Sequence, residues 1–373
     1  MKRVFVLVTL LILTLSLSAC GGADNTVRLG VIGPLTGDYS QYGTAVRDGA
    51  LLAVKELNAA GGILGKEVEL FDYDSKGDTV EGVNAYNRLR DVDEVHALIG
   101  ATFSGVTLAI KELAVEDGLP ILTPTATNAD VTLDAPNVFR ACYKDDFQGQ
   151  MAAKFADETL EFTKAAVIYN RDDAYSKGLA DAFKAEWETR GVLVAEVSFG
   201  SGDDDYSAIL DTVAASDAEV VFLPGYVAEV GAILTQAKSK GLTMPFIGGD
   251  GWDSLEEQYA DVAEGHYFGN HYAKTDDRAQ VQDFVSNYEA EYGTVPNALA
   301  ALAYDAVYAA AAAFEDAGST DADDFVAALS DLKYTGVTGD IEFDENGDPI
   351  KAITMIQIVN GEHVVVEKLV REE

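Results

Sequence analysis

The residues best suited to catalysis or metal binding are few: four histidines, His96, His266, His271 and His363, and two cysteines, Cys20 and Cys142. None of the histidines is spaced from another, or from Cys142, as zinc ligands are. His266 and His271 lie five apart on a predicted strand, which sends them to opposite faces. Asp344-x-Asn346-x-Asp348 opens like a calcium loop. Pro349, however, stands where that loop needs glycine, and Met355 where it needs a bidentate glutamate. Residues 61–66 lack the spacing of a phosphate loop, and Gly30-x-x-Gly33 is not the dinucleotide fingerprint. Ser104 precedes a predicted helix, but Phe103 and Gly105 break the nucleophile-elbow spacing and no histidine is paired with it. These patterns predict no enzyme, no metal and no cofactor.

What remains is a recurring set of polar and aromatic residues just past the carboxyl ends of predicted strands, where open α/β sheets bind ligands. Strand 97–100 runs into Ala101-Thr102-Phe103-Ser104-Gly105, directly before a helix. Hydroxyls there, with the free N–H groups of the helix start, suit a carboxylate. Strand 120–123 leads into Pro124-Thr125-Ala126-Thr127-Asn128, which adds hydroxyls and a carbonyl. Further along, strand ends carry Tyr175, Tyr226 and Asp250, two aromatic walls and one anion. Carboxylate donors on one side and an acid on the other describe a clamp for a zwitterion.

The elements that must hold these residues alternate regularly. Predicted strands at 27–32, 68–73, 97–100 and 120–123 are separated by helices at 44–60, 80–89 and 106–116, the first closing on the glycine C-cap signal Ala59-Ala60-Gly61-Gly62. A second series has strands at 165–169, 193–197, 220–223, 246–248 and 266–272, with helices such as 177–190 and 227–240. Such alternation means parallel sheets flanked by helices, and each series is long enough for one doubly wound lobe. Helices at 280–292, 299–317 and 324–332 follow, then two runs at 339–343 and 352–359 flanking a polar turn.

The first twenty residues, MKRVFVLVTLLILTLSLSAC, place Lys2 and Arg3 before an apolar stretch that ends in small residues, the layout of an export signal. The stretch is shorter than the ~20 apolar residues of a spanning helix. Loss of residues 1–19 removes Lys2 and Arg3, so the formal charge of −37 becomes −39. That charge repels phosphate backbones and argues against nucleic acid as a partner. With Cys20 set aside, Cys142 has no disulfide partner, so stability must come from the core.

Leu17-Ser18-Ala19-Cys20 resembles the bacterial lipoprotein cleavage box, which implies lipid on Cys20. The rest of the chain resembles the periplasmic binding proteins of branched-chain amino-acid ABC transporters, the leucine/isoleucine/valine-binding type. The resemblance is carried by Ile32-Gly33-Pro34-Leu35-Thr36-Gly37 with Gln41-Tyr42-Gly43, by Asn58-Ala59-Ala60-Gly61-Gly62-Ile63-Leu64-Gly65, and by residues 98–105 and 120–128. Asp173-Ala174-Tyr175-Ser176-Lys177-Gly178, Gly225-Tyr226 and residues 246–251 extend it. It implies that Ser104 and Thr127 hold a ligand carboxylate. The ammonium would meet the Thr125 carbonyl and Asp250, and Tyr42, Tyr175 and Tyr226 would close around the ligand beside Phe103. Two departures stand out: Asp250 replaces a frequent glutamate, and Leu299 falls where some relatives carry an aromatic wall.

The expectation is therefore a type I periplasmic binding fold, two Rossmann-like α/β lobes joined by a three-crossing hinge. Lobe one would span 24–144 plus 274–348 and lobe two 145–273 plus 349–373, with crossings near 143–146, 272–275 and 346–349. The resemblance implies an extracytoplasmic, lipid-anchored monomer that hands a branched-chain or similar apolar L-amino acid to ABC permease subunits. The alternatives are a ligand-sensing module for a signalling partner and a receptor for a small amide or an aromatic carboxylate.

Overall fold

The computed structural model describes residues 25–370. The segment expected to be an export signal, Cys20 and residues 371–373 lie outside them. The first sheet contains β1 (Thr26–Gly33), β2 (Glu67–Asp74), β3 (Ala97–Ala101), β4 (Ile121–Thr123) and β5 (Val138–Arg140), in the order β2-β1-β3-β4-β5. All of its pairings are parallel. Strands β1 and β3 read as near-continuous apolar runs because helices cover both faces.

Helix α1 (Ser40–Ala60) follows β1 and ends on Gly61, whose φ of 115° is the left-handed cap that the Gly-Gly pair promised. Helices α2 (Thr79–Asp91) and α3 (Ser104–Asp117) follow β2 and β3. Asp78 caps α2 by accepting from Val80 N and Glu81 N.

Beyond β5 the chain enters a second sheet. Helix α4 (Asp145–Lys154), continued by a π-helical turn at Phe155–Thr159, leads to β6 (Lys164–Asn170), α5 (Ala174–Trp187) and β7 (Val192–Phe199). Then come α6 (Ser207–Ala214), β8 (Val220–Phe222), α7 (Val227–Ser239), β9 (Phe246–Gly248), α8 (Leu255–Ala263) and β10 (Tyr267–Asn270). Helices α9 (Ala279–Tyr292), α10 (Ala298–Ala317) and α11 (Ala322–Ser330) return to the first lobe, with a hairpin of β11 (Lys333–Gly336) and β12 (Gly339–Glu342). The last hairpin, β13 (Ile353–Val359) and β14 (Glu362–Leu369), completes the second sheet in the order β14-β13-β10-β9-β8-β6-β7. The runs at 339–343 and 352–359 therefore do not pair with each other. The polar turn between them carries the chain from one lobe to the other.

Both sheets share one winding. Strand order reverses beside β1 in the first and beside β6 in the second, and each reversal opens a crevice at the carboxyl ends of the strands. Helix α10, alanine-rich and mostly buried, lies along α1. A Cβ on Gly49 would come within 2.1 Å of the Ala300 carbonyl, so that approach requires glycine.

The chain passes between the lobes three times, and two buried cations tie the passages together. Arg140, fully buried at the end of β5, places Nε 2.6 Å from Asp348 Oδ1 and donates to the carbonyls of Ala126 and Asn128. Lys351 Nζ donates to Ala141 O at 2.9 Å and to Thr338 Oγ1 at 2.6 Å, and burial lowers its pKa to about 8. Removing one partner of a buried pair leaves the other charge uncompensated. Asp348→Asn should therefore cost about 3–5 kcal/mol in urea unfolding. An unchanged unfolding midpoint would show that Arg140 is satisfied by its carbonyl acceptors alone.

Candidate ligand-binding site

The crevices of the two lobes face each other. Tyr42, in the first turn of α1, reaches across with its hydroxyl, which donates to Gly251 O at 2.7 Å and accepts from Val227 N at 2.8 Å. Asn128 Nδ2 donates to Ala174 O at 2.8 Å, and Asp253 Oδ2 accepts from Ala298 N at 2.6 Å. These bonds join residues of opposite lobes, so the cleft is shut.

A cavity walled by aromatic rings lies at that junction. From lobe one, Tyr42, Phe103, Ser104, Thr125 and Leu299 line it; from lobe two, Tyr175, Tyr226 and Asp250. Thr102, from the hydroxyl-bearing segment after β3, and Gly251, beside Asp250, complete the wall. The free space among them would hold about one water molecule. Aromatic rings fill much of the rest. Phe103 lies 4.5 Å from Tyr226 between centroids, Tyr42 contacts both at 5.5 and 5.3 Å, and Tyr175 stacks on Tyr226 at 5.2 Å.

Ser104 is the first residue of α3, with extended Phe103 before it, so the unpaired N–H groups of a fourteen-residue helix open beside its hydroxyl. Ser104 Oγ accepts from Asn128 N at 3.3 Å. The Thr125 hydroxyl is committed to Thr102 O at 2.7 Å, which fixes the segment after β4 against the segment after β3. Thr127 does not reach the cavity wall. It is buried, with its hydroxyl beside the Asp145 carboxyl rather than in a well-formed hydrogen bond.

On the other side, Asp250 follows β9 in a short 3₁₀ turn and is 7% exposed. Its Oδ1 accepts from Tyr175 OH at 2.9 Å and from Gln148 Nε2 at 3.0 Å; its Oδ2 lies 3.1 Å from His271 Nε2. Burial lowers the His271 pKa below the usual imidazole range, and the neutral ring meets Asp250 through an Nε2–H. His271 also stacks on Tyr143 at 3.7 Å. A carboxylate offers about four acceptor positions, so three protein donors leave room for one more. Gln148 and His271 were missed from the sequence: α4 gave no clear periodic signal, and His271 had no metal-like spacing.

The lobe-two side of the cleft is acidic. Glu229 is buried and Asp173 half-buried near Tyr226; desolvation pushes Glu229 up to about 7 and also raises Asp173. Burial holds the phenols of Tyr42, Tyr175 and Tyr226 far above their ordinary value, so they act as neutral donors and walls. The α3 N-terminus thus offers an anion-binding end and Asp250 an acidic end across a cavity that, in this closed form, has space for about one water. No group of three or more His, Cys, Asp or Glu side chains among the described residues is placed to hold a metal.

Residues 26–362 match the family model described as periplasmic binding protein. The Leu/Ile/Val-binding protein BraC3 of Rhizobium johnstonii is 35% identical over 348 residues, covering 91% of this chain and 92% of that protein. The crystal structure of a leucine-binding protein, LivK, from Thermotoga maritima superposes with a TM-score of 0.88 at 34% identity, covering 92% of this chain and 98% of that one. The branched-chain amino-acid transporter binding protein LivJ of Streptococcus pneumoniae, in complex with isoleucine, gives 0.86 at 32% identity over 93% of this chain and 99% of that one. With that coverage and the two doubly wound sheets, the chain belongs to the periplasmic binding protein family and has its type I fold.

Proposed function

We propose that the protein is an extracytoplasmic solute-binding lipoprotein of an ABC importer that takes an apolar L-amino acid, branched-chain or similar, into the cleft between its lobes. The observation that carries this reading is the opposition, across one aromatic-walled cavity, of the α3 N-terminus with Ser104 to the Asp250 carboxyl. Ser104 and Thr127 take the ligand carboxylate, Thr127 by turning its hydroxyl inward. Asp250 and the Thr125 carbonyl take the ammonium. Tyr42, Phe103, Tyr175 and Tyr226 enclose the side chain, with Leu299 at the remaining wall.

The lobes divide at 24–144 plus 274–348 and 145–273 plus 349–373. The protein acts as a monomer, and the closed shape is what the permease subunits recognise. Residues 1–19 are removed, and lipid on Cys20 holds the mature chain at a membrane.

Mass spectrometry of small molecules released from freshly purified, denatured protein should yield an α-amino acid; a ligand without an amino group would overturn the assignment of Asp250. Asp250→Asn should weaken binding of that amino acid by about 3 kcal/mol or more, because the ammonium would then be buried without a counter-charge. Equal calorimetric affinity in the variant and the parent would remove Asp250 from the site. Tyr42→Phe should weaken binding by about 1–3 kcal/mol and raise the open population in small-angle scattering, since Val227 N and Gly251 O lose their partner across the cleft. For the anchor, Cys20→Ala should abolish acyl labelling and detergent-dependent release from membranes; a variant still acylated would sink the lipidation proposal.

A further inference from the structure

Asp250 and a second buried acid, Asp253, sit at the two ends of one turn. Asp253 N donates to Asp250 O at 3.1 Å, and Trp252 N donates to Gly249 O at 3.0 Å. Trp252, between them, is fully buried, and its indole N–H donates to Leu223 O at 2.9 Å, which pins the turn to the end of β8. Asp250 lines the aromatic-walled cavity. Asp253 lies outside it, in the seam beside it, together with Asn297 and Ala298.

Across that seam, Asp253 Oδ2 accepts from Ala298 N at 2.6 Å, with Asp253 3% exposed and Ala298 fully buried. Ala298 is the first residue of α10, so its N–H has no acceptor within its own helix. Asn297, just before it, spends its side chain on Ala300 N instead. A carboxylate at the start of a twenty-residue helix also meets the positive end of the helix dipole. On the lobe-two side the carboxyl stands among Asn270 of β10, His363 of β14 and Glu256 of α8, where His363 Nε2 lies 2.9 Å from Glu256 Oε1.

The two partners belong to opposite lobes, and this decides what the bond can do. In an opened cleft they separate, and water meets both the carboxylate and the helix N–H. In the shut cleft each is the other's partner, and burial of either alone would leave a polar group unsatisfied. A bond made in one state only shifts the balance between the two. Leu299, which adjoins Ala298, and Gly251, two residues before Asp253, both line the cavity. The movement that encloses a ligand is therefore the movement that makes the bond.

We infer that Asp253 is a closure latch, a positioning residue that touches no ligand and acts through Ala298 at the head of α10, so that it sets the affinity for every ligand by one common factor. This rests on the cleft being the ligand site, as proposed above, and on no particular ligand.

The bond can be cut from either lobe. Asp253→Ala removes the acceptor. Ala298→Pro removes the donor at the first helical position, where the fixed φ of proline fits, and Asn297 before it, at φ −88° and ψ 178°, already has the extended backbone that a following proline demands. The second variant leaves lobe two untouched, so it keeps the test decisive where Asp253→Ala folds poorly.

The full chain is titrated calorimetrically with L-leucine, L-isoleucine, L-valine and L-alanine. Each variant should bind about tenfold or more weakly, the size of one hydrogen bond to a charged group, and by the same factor for every amino acid that the parent binds, because the closed fraction enters each apparent affinity alike. Stopped-flow measurements should place most of the loss in faster dissociation. With one half of the bond gone the other has nothing left to lose, so the double variant should bind no worse than the weaker single one. Without added amino acid, Ala298→Pro should melt with the parent. Unchanged affinity in Ala298→Pro overturns the inference, and so do factors that differ from one amino acid to the next, which would put Asp253 in the pocket. A melting point several degrees lower without amino acid also overturns it, since the bond would then persist in the open form. If none of the four amino acids binds the parent, the amino-acid reading fails instead, and the melting comparison, which needs no ligand, still decides whether the bond is confined to the closed form.

Discussion

Asp250 sits almost out of water at the junction of two lobes, and a carboxyl there is tolerable only if donors meet its oxygens. Tyr175, Gln148 and His271 do so, each from a different segment of lobe two. The surrounding backbone has to come close for this. A Cβ on Gly249 would lie 2.6 Å from Leu179 Cδ2, 2.7 Å from Tyr175 OH and 2.8 Å from Gln148 Oε1. One on Gly251 would lie 2.6 Å from Gly225 O. The run Gly248-Gly249-Asp250-Gly251 is thus a consequence of bringing three side-chain donors and a neighbouring turn onto one carboxyl, because any side chain at 249 or 251 would push them away.

The same constraint explains why the site could be read from sequence only in part. Strand ends announce themselves: a β-branched run, then a break, then a helical pattern, which places Ser104, Thr125, Tyr175, Tyr226 and Asp250 just past the carboxyl ends of strands. The residues that hold Asp250 in place do not. Gln148 lies on a short helix whose first turn buries Asp145 and Phe147 while Asp146 stays exposed. His271 follows a four-residue strand, and its role depends on a partner twenty-one positions away. Support of this kind is tertiary and leaves no local period in the sequence.

Element reading shows the same division. The long amphipathic helices and apolar strands of both lobes lie within a few residues of expectation, whereas β5, α6 and α8, all short, gave too little pattern to separate from loop. β14 is a different miss. Asn360-Gly361, both at positive φ, form the two-residue turn that most strongly marks a hairpin, and the valines at 364–366 follow it. That signal was present, but the run is exposed at a sheet edge and lacks the alternation of a half-buried strand.

Hinge and site share atoms, and this bears on what closing the cleft can do. The first passage carries Tyr143, Asp145 and Gln148, the second begins at His271, and the third holds Asp348 and Lys351. On the side away from the cavity, Arg140 with Asp348 and Lys351 with Ala141 O bind the first and third passages together. On the cavity side, Gln148 and His271 bind the first and second to Asp250. Rotation of one lobe on the other is therefore restricted to motions that keep the passages parallel, which are opening and closing. Asp250 is thus in direct contact with groups attached to the hinge. The first passage contributes to both stability and the site, so a segment that lobe movement must bend is also one that a buried ion pair holds firmly. The bending has to fall on the few backbone positions between these anchors.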